Sequence, residues 1–294
     1  MTSHCKTTDT GAAARSVALL HVAVMLFGLS AVMGQFVDAP AVIIAGGRVL
    51  WSTAALLALS LATKSKRTLD SKKDYAVAIA AGVVLAIHWT TFFQAIQSSS
   101  VAVGTITFSA FPLFLTFLEP LVFHEKLRGH SILSALVLLL GVGITTPSFS
   151  LENEATMGVV WGLVSVLSYA VMSLANRYLS AKYEARTICL YEQGTAAVVL
   201  LPALFLVPTH WTVPNFVGIA VVGLVCTAIA HSLYVAAQRN VKAQTAGVIS
   251  GMETVYGVLF ALLFLGEVPG LRELVGGAVI LGTAVFSSLT SSKE

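Results

Sequence analysis

The chain has 294 residues, of which 56% are apolar and only 11% are charged, and its mean hydropathy is +0.86. A soluble domain carries roughly 25% charged residues, so this composition excludes a water-soluble globule and indicates a helical membrane protein that crosses the bilayer several times. The net charge of +3 is too small to favour nucleic acid as a partner.

Ten apolar segments, each close to the length of about 20 residues that spans a bilayer core, follow one another with short connections. The predicted spans are residues 15–36, 41–62, 75–96, 101–123, 130–147, 156–178, 186–207, 214–238, 243–265 and 269–290. The apolar run that starts at Ser16 is longer than a signal-peptide core, and no A-x-A cleavage site closes it. The sequence therefore predicts an all-α membrane protein with ten transmembrane helices, the first of them near the N-terminus.

The lysines and arginines orient these spans. With the N-terminus inside, nearly all of them fall on the cytoplasmic side; Arg272 alone falls outside, and Arg48 lies within a span. Cytoplasmic loops of membrane proteins carry such an excess of Lys and Arg. Both termini are therefore predicted to be cytoplasmic.

An internal repeat relates the two halves of the chain. The stretch "AIQSSSVAVGTITFSAFPLFLTFLEPLVFHEKL" begins at Ala95, and "AAQRNVKAQTAGVISGMETVYGVLFALLFLGEVP" begins at Ala237. The offset of 142 aligns Phe92 with Tyr234 and Glu125 with Glu267, and it predicts two five-helix repeats at residues 1–147 and 148–294. Since five is odd, the repeats insert with opposite topology, an arrangement typical of secondary transporters with a site near the bilayer midplane.

The ten spans, the five-plus-five repeat and a P-x7-P-x4-E pattern at Pro112, Pro120 and Glu125 resemble the drug/metabolite transporter superfamily. Within it the chain is similar to the EamA family of bacterial permeases, over about residues 15–290. The resemblance implies a carrier in the bacterial inner membrane that works by alternating access around a central cavity, and family tendency favours export. The chain reads Glu253-Thr254 where the family commonly has Glu-Pro, so a proline kink is not implied there.

Glu253 is the most conspicuous polar residue inside an apolar segment. It lies some ten residues into the ninth span, roughly 15 Å deep at about 1.5 Å per residue, and Tyr256 at i+3 shares its face. Intramembrane carboxylates are costly and usually functional, which predicts a site for a substrate amine or a proton. The alternative is a structural carboxylate that is neutralised by a basic neighbour or held protonated.

Two further polar layers flank the midplane. Arg48 and His88 form the outer layer. In the second half Glu192 is at the repeat position of Arg48 and His231 is at that of Trp89, and these two form the inner layer. Arg48 is predicted to bind a carboxylate in a bidentate manner, whereas histidines that titrate near neutral pH are suited to proton coupling. For each of these residues a structural ion pair or interhelical hydrogen bond is the competing interpretation.

The predicted site therefore has two parts. The substrate-binding residues are predicted to be Glu253, Arg48, His88, Trp89, Phe92, Tyr256, Tyr234 and Tyr169. The residues of proton coupling or gating are predicted to be Glu192, His231 and Glu253.

Motifs of other functional classes are missing from the sequence. There is no Walker motif, no nucleophile elbow and no complete zinc motif, because "HEKLR" at 124–128 lacks the second histidine of H-E-x-x-H. The three cysteines, Cys5, Cys189 and Cys226, are odd in number and far apart, which predicts no disulfide framework. We expect no cofactor, no metal and no enzymatic activity.

These observations favour a secondary active transporter of a small polar metabolite, an amino acid or related zwitterion, acting as an exporter. The alternatives are import or exchange of another metabolite, such as a nucleotide-like or vitamin-like compound, and then a membrane receptor or an intramembrane enzyme. The expected partners are the substrate, the lipid bilayer and protons as coupling ion. The oligomeric state is left open between monomer and homodimer.

Overall fold

The computed structural model describes residues 10–123, 129–146, 152–238, 241 and 243–291, and within these residues the chain is helical and contains no strand. The helices, in chain order, are α1 (Thr10–Gln35), α2 (Ala41–Ala62), α3 (Lys72–Gln97), α4 (Val101–Phe108), α5 (Phe111–Phe123), α6 (Gly129–Thr145), α7 (Glu154–Ser180), α8 (Ala185–Leu206), α9 (Val213–Gly223), α10 (Ala230–Gln238), α11 (Ala243–Leu265) and α12 (Leu271–Ser291). A π-helical turn, Leu224–Ile229, joins α9 to α10 without a break.

The helices coincide with the predicted spans. The fourth predicted span comprises α4 and α5, and the eighth comprises α9, the π turn and α10. Among the described residues, seven helical stretches are long and apolar enough to cross a membrane, and a further apolar stretch at Ile249–Leu265 is shorter. The all-helical membrane fold is confirmed, whereas the count of ten crossings and their orientation stay predictions.

Polar caps start several helices. The Ser71 hydroxyl accepts a hydrogen bond from the backbone N–H of Asp74 (3.1 Å), and Ser100 accepts one from Val103 (3.0 Å). Thr212 caps α9 in the same way. Each cap satisfies a backbone donor that the first turn of a helix leaves without an internal partner. Short polar segments between apolar runs therefore fix where the helices begin.

The fourth predicted span is broken at Ser109–Ala110, and Pro112 lies in the first turn of α5, where a missing N–H costs no helical bond. By contrast, α11 runs unbroken past Thr254, the position at which the permeases that the sequence resembles commonly have proline. The Thr254 hydroxyl donates to the Thr105 carbonyl (2.6 Å) and contacts the Ser109 hydroxyl. Thr254 thus attaches α11 to the break between α4 and α5.

Of the two glutamates that the repeat aligns, only Glu267 lies among the described residues. Glu267 accepts hydrogen bonds from the backbone N–H groups of Val101 (3.4 Å) and Ala102 (3.2 Å) at the N-terminus of α4, where a negative charge is favourable. Glu125 and the "HEKLR" stretch lie outside the described residues, as does Cys5.

Helices of the two halves interleave. Helix α1 packs against α10 and α11, α3 packs against α7 and α8, α2 packs against α8 and α9, and α6 packs against α12. Many large apolar side chains face outward, including Leu133, Phe205 and Leu263. A soluble monomer rarely exposes so much apolar surface, so this perimeter is the face turned to lipid. The polar side chains described next lie inside it.

Candidate functional site

A small cavity in the middle of the bundle collects polar and aromatic side chains from seven helices. It is lined by Phe27, Ser30, Arg48, His88, Trp89, Phe92, Phe108, Tyr169, His231 and Glu253, and its volume is about 20 Å³, room for about one water molecule. The ionisable side chains among them are all buried within the bundle. Aromatic walls with a few convergent polar groups are the usual lining of a small-molecule site, but such sites span about 300–1,000 Å³, so a bound molecule requires this cavity to widen.

Arg48 is held on several sides. Its Nε donates to the Thr227 hydroxyl (2.8 Å), and its Nη2 donates to the Cys226 carbonyl (3.3 Å). The guanidinium carbon lies 4.1 Å from the centroid of the Trp89 ring and 5.3 Å from that of Phe93. Hydrogen bonds and cation–π contacts together offset part of the cost of burying this charge. Arg48 therefore presents a fixed positive charge to the cavity.

Glu253 reaches the same cavity from α11. Its side chain is 4% exposed, and no described residue donates a hydrogen bond to its carboxylate. Arg48 is near enough to interact with it electrostatically. Burying a carboxylate without a hydrogen bond is expensive, so this group is suited to accept a proton or a cationic ligand.

Aromatic rings surround His88. Its ring centroid lies 4.8 Å from that of Tyr169, 5.6 Å from Phe108 and 6.0 Å from Phe92. The Nδ1 atom lies 3.0 Å from the Ser165 carbonyl, to which it donates, and the Ser165 hydroxyl donates to the His88 carbonyl (3.2 Å). With Nδ1 protonated in this way, Nε2 of the neutral ring is an acceptor.

Glu192 and His231 form a buried pair. The Nε2 atom of His231 lies 2.9 Å from Oε2 of Glu192. The Cys189 sulfur is close to both side chains: a ring nitrogen of His231, a carboxylate oxygen of Glu192 and this sulfur lie within 4.8 Å of one another. His231 lines the cavity, and its ring meets that of Trp89 edge-on at 5.9 Å. Among the described residues, Oε1 of Glu192 and Nδ1 of His231 have no hydrogen-bond partner. The pair therefore has two buried polar atoms that no described residue satisfies.

The structure brings most of the predicted site residues together. Seven of the predicted residues line the cavity: Arg48, His88, Trp89, Phe92, Tyr169, His231 and Glu253. Glu192 lies behind His231, and Tyr234 is fully buried with its hydroxyl 3.0 Å from that of Ser250. Tyr256 is not among the lining residues; it packs beside Gly28 of α1, where the two helices approach closely.

Three lining residues were missed by the sequence analysis: Phe27, Ser30 and Phe108. Ser30 offered a signal, because it is a polar residue inside an apolar segment, and its buried hydroxyl has no partner among the described residues. Phe27 and Phe108 resemble any other apolar residue of a membrane helix, and only the three-dimensional packing singles them out.

Polar contacts between the halves close one end of the bundle. Asp74, at the start of α3, accepts hydrogen bonds from Lys182 (3.0 Å) and from the Tyr183 hydroxyl (2.8 Å), and Tyr183 in turn accepts one from the Asp70 backbone (2.8 Å). Hydrogen bonds to Tyr178 and Asp74 raise the pKa of Lys182, so its ammonium group stays charged near neutral pH. The connection between α2 and α3 is thus attached to that between α7 and α8.

The other end is closed by a smaller contact. The Asn215 side chain donates to the Asp38 carbonyl (2.9 Å) and accepts from the Asp38 backbone N–H (3.1 Å). Asp38 follows α1, and Asn215 lies in the first turn of α9, so this contact also joins the two halves. The central cavity lies between these two attachments.

The sequence model of the EamA-like transporter family matches this chain twice, at residues 14–146 and 156–289. A solved crystal structure of another protein has the same fold, with a TM-score of 0.71 over 95% of this chain and 98% of that chain, at 17% sequence identity.

Several curated proteins are similar over about two thirds or more of both chains. An uncharacterized transporter of Archaeoglobus fulgidus is 27% identical over 67% of this chain and 70% of its own. The pseudopaline exporter CntI of Pseudomonas aeruginosa is 25% identical over 75% and 77%, respectively. The uncharacterized inner membrane transporter YicL of Salmonella typhimurium is 25% identical over 69% of each chain. The family and these names indicate a transporter rather than an enzyme.

Proposed function

The chain belongs to the EamA-like transporter family, and from this premise we propose that it is a secondary active carrier that exports an amino acid or a related zwitterion across the bacterial inner membrane. A relative named as an exporter supports the direction, and one named as an inner membrane transporter supports the location. Its lipid-facing perimeter and small central polar cavity suit a carrier better than a channel, which would need a continuous pore.

One observation carries the choice of substrate class. Arg48 and Glu253, of opposite charge, line the same cavity, and Glu253 has no hydrogen bond from any described residue. A zwitterion placed between them offers a carboxylate to the guanidinium and an ammonium group to the carboxylate. Phe92, Phe108 and Tyr169 supply apolar surface for the remainder of a small molecule.

Two inverted repeats, residues 1–147 and 148–294, would give the alternating access that such a carrier needs. The double match to the family supports this proposal. The packing supports it too, since the contact of α3 with α7 has its counterpart in that of α10 with α1. Under this proposal the Asp74–Lys182 and Asp38–Asn215 contacts open in turn, so that the cavity faces one side of the membrane at a time.

We further propose protons as the coupling ion. Glu253 faces Arg48 on α2, His88 on α3, Tyr169 on α7 and His231 on α10 across the cavity. A carboxylate in this position binds either a proton or the substrate ammonium group, and competition between the two couples their movements. Glu192 and His231 provide a second exchangeable proton directly behind the cavity.

The test is transport in proteoliposomes with a panel of labelled amino acids, measured at pH 6 and pH 8. Glu253→Gln removes the charge and keeps the shape. We expect at least a tenfold loss of transport and loss of the pH dependence. Glu184→Gln, at an exposed glutamate outside the cavity, is the matched control and should behave as the wild type.

Two results would overturn the proposal. Transport by folded Glu253→Gln at the wild-type rate and with the wild-type pH profile would make Glu253 a structural carboxylate. A wild-type protein that moves no member of the panel, while amino acids still raise its melting temperature, would indicate a receptor instead of a carrier.

A further inference from the structure

Two glycines mark equivalent close approaches in the two halves. A Cβ atom on Gly82 of α3 would lie 2.5 Å from the carbonyl oxygen of Glu192, and a Cβ atom on Gly223 of α9 would lie 2.8 Å from that of Arg48. Only glycine fits at such distances. Each glycine therefore lets its helix touch the backbone of a charged residue, and these are the two residues that the repeat relates.

Farther along each helix, a second residue contacts the side chain of the same charged residue. The number of residues between the glycine and this second residue differs between the two halves. Trp89 lies beneath the Arg48 guanidinium, and His231 is paired with Glu192. Gly82 precedes Trp89 by seven residues, which is close to two turns of α-helix, whereas Gly223 precedes His231 by eight. The second half contains one residue more between the same two contacts.

The π turn at Leu224–Ile229 accommodates this extra residue. A π-helical turn holds an additional residue per turn, so Gly223 and His231 keep their places although eight residues separate them. The corresponding stretch of α3 is continuous α-helix. Single π turns inside α-helices occur frequently at functional sites.

The π turn contacts Arg48 directly. Thr227 and Cys226 both belong to it, and both accept hydrogen bonds from the guanidinium. The Thr227 hydroxyl also donates to the Val222 carbonyl (2.8 Å), five residues back along the helix, which fixes the orientation of its lone pairs toward Arg48. The Nη1 atom of Arg48 has no hydrogen bond within the described part of the chain, and Arg48 lines the cavity.

We propose that Thr227 is a positioning residue: it fixes Arg48 Nε so that the guanidinium lies on Trp89 with Nη1 toward the cavity, and it thereby sets the selectivity for a substrate carboxylate. Because Nε is occupied, a carboxylate is bound by the terminal nitrogens alone. The role of Thr227 in selectivity rests on the proposed transport function, whereas its positioning of Arg48 does not.

The position of Arg48 is tested without any substrate. A parent protein with Trp51, Trp161 and Trp211 replaced by phenylalanine retains Trp89 as its one tryptophan. Arg48→Met in this parent gives the emission of Trp89 without its cation. We expect Thr227→Val to shift the emission toward that of Arg48→Met, and Thr227→Ser, which keeps the hydroxyl, to match the parent. Thr53→Val is the matched control, since the Thr53 hydroxyl has no hydrogen-bond partner among the described residues.

Selectivity is tested by transport in the otherwise wild-type chain. The measured quantity is the ratio of the initial rate for a transported amino acid to that for its methyl ester. We expect Thr227→Val to lower this ratio about tenfold, the size of effect that a misplaced charged hydrogen bond produces, and Thr227→Ser to restore it.

The outcomes separate the two claims. Unchanged Trp89 emission in Thr227→Val, or the same shift in Thr227→Ser, would overturn the positioning role whatever the protein transports. A shift in emission with an unchanged ester ratio would overturn the role in selectivity. A further outcome is that the wild type transports no amino acid while the variants show the expected emission changes. That result would refute the proposed function and the role in selectivity, but it would support the positioning of Arg48.

Discussion

The Arg48–Trp89 and Glu192–His231 pairs occupy equivalent places in the two halves and differ in how completely they are satisfied. Arg48 has two hydrogen bonds to the π turn besides its contact with Trp89. Glu192 has its contact with His231, and its Oε1 atom has no partner among the described residues. The two pairs touch where Trp89 meets His231. The Arg48–Trp89 pair is therefore held on several sides, whereas the Glu192–His231 pair keeps polar atoms that no described residue satisfies.

Breaking the Arg48–Trp89 pair should have the largest effect on transport. Arg48→Met keeps much of the side-chain volume and removes the charge, and it leaves Glu253 buried without its positive neighbour, which is destabilising. We expect about a 100-fold or greater loss of amino-acid transport together with a lower melting temperature. Arg48→Lys should also transport poorly, because an ammonium group lacks the planar fork that contacts Trp89 and Thr227 together. Initial rates in proteoliposomes measure both.

The control for this prediction is Arg67→Met, at an exposed arginine outside the cavity. The comparison fails if Arg48→Met, shown to be folded by its melting temperature, transports at more than about a third of the wild-type rate. Arg48 would then be a structural cation, like the arginine of the Arg177–Glu119 pair between α7 and α5.

Changing the Glu192–His231 pair should affect the pH dependence of transport more than the maximal rate. Glu192→Gln keeps a hydrogen bond to His231 but fixes the charge. Glu192 faces His231 on α10 and has Cys189 and Tyr169 nearby. We expect about a tenfold lower rate and a flatter rate profile between pH 5 and 8, the range in which histidine-linked groups titrate. Transport measured at half-unit pH intervals tests this expectation.

Glu184→Gln again serves as the control, since this exposed glutamate lies at the start of the same helix, α8. If Glu192→Gln keeps the wild-type pH profile, the second pair holds α8 against α10 and has no part in coupling. The proton would then have to be carried by Glu253.

The sequence was sufficient to find the charges of this site, because a charged residue inside an apolar span stands out. Arg48, Glu192 and Glu253 were all selected on that ground, and the helices that carry them follow from apolar runs and polar caps. The aromatic wall was harder to predict. Phe27 and Phe108 line the cavity, but nothing in a one-dimensional pattern separates them from phenylalanines that face lipid.

Two further features depend on how the helices pack. Tyr256 was predicted from the i+3 spacing to share the site with Glu253, yet the close approach of α1 at Gly28 places it in a helix interface. The extra residue between Gly223 and His231 can be counted in the sequence. It indicates a π turn only once the contacts of Gly223 with Arg48 and of His231 with Glu192 are known. The ten crossings and their orientation still rest on apolar length and on the distribution of Lys and Arg.

The smallest expected effect concerns the contact that joins Arg48 to Trp89. Trp89→Phe keeps an aromatic ring beneath the guanidinium but weakens its attraction for a cation, since tryptophan is the best of the aromatic residues in this role. The change should cost about 1 kcal/mol of the cation–π interaction, or roughly a fivefold rise in KM with kcat nearly unchanged. Trp161→Phe, at a tryptophan outside the cavity lining, is the matched control. A fall in kcat at constant KM would instead mean that Trp89 acts through its edge contact with His231, and the two pairs would then have to be treated as one coupled unit.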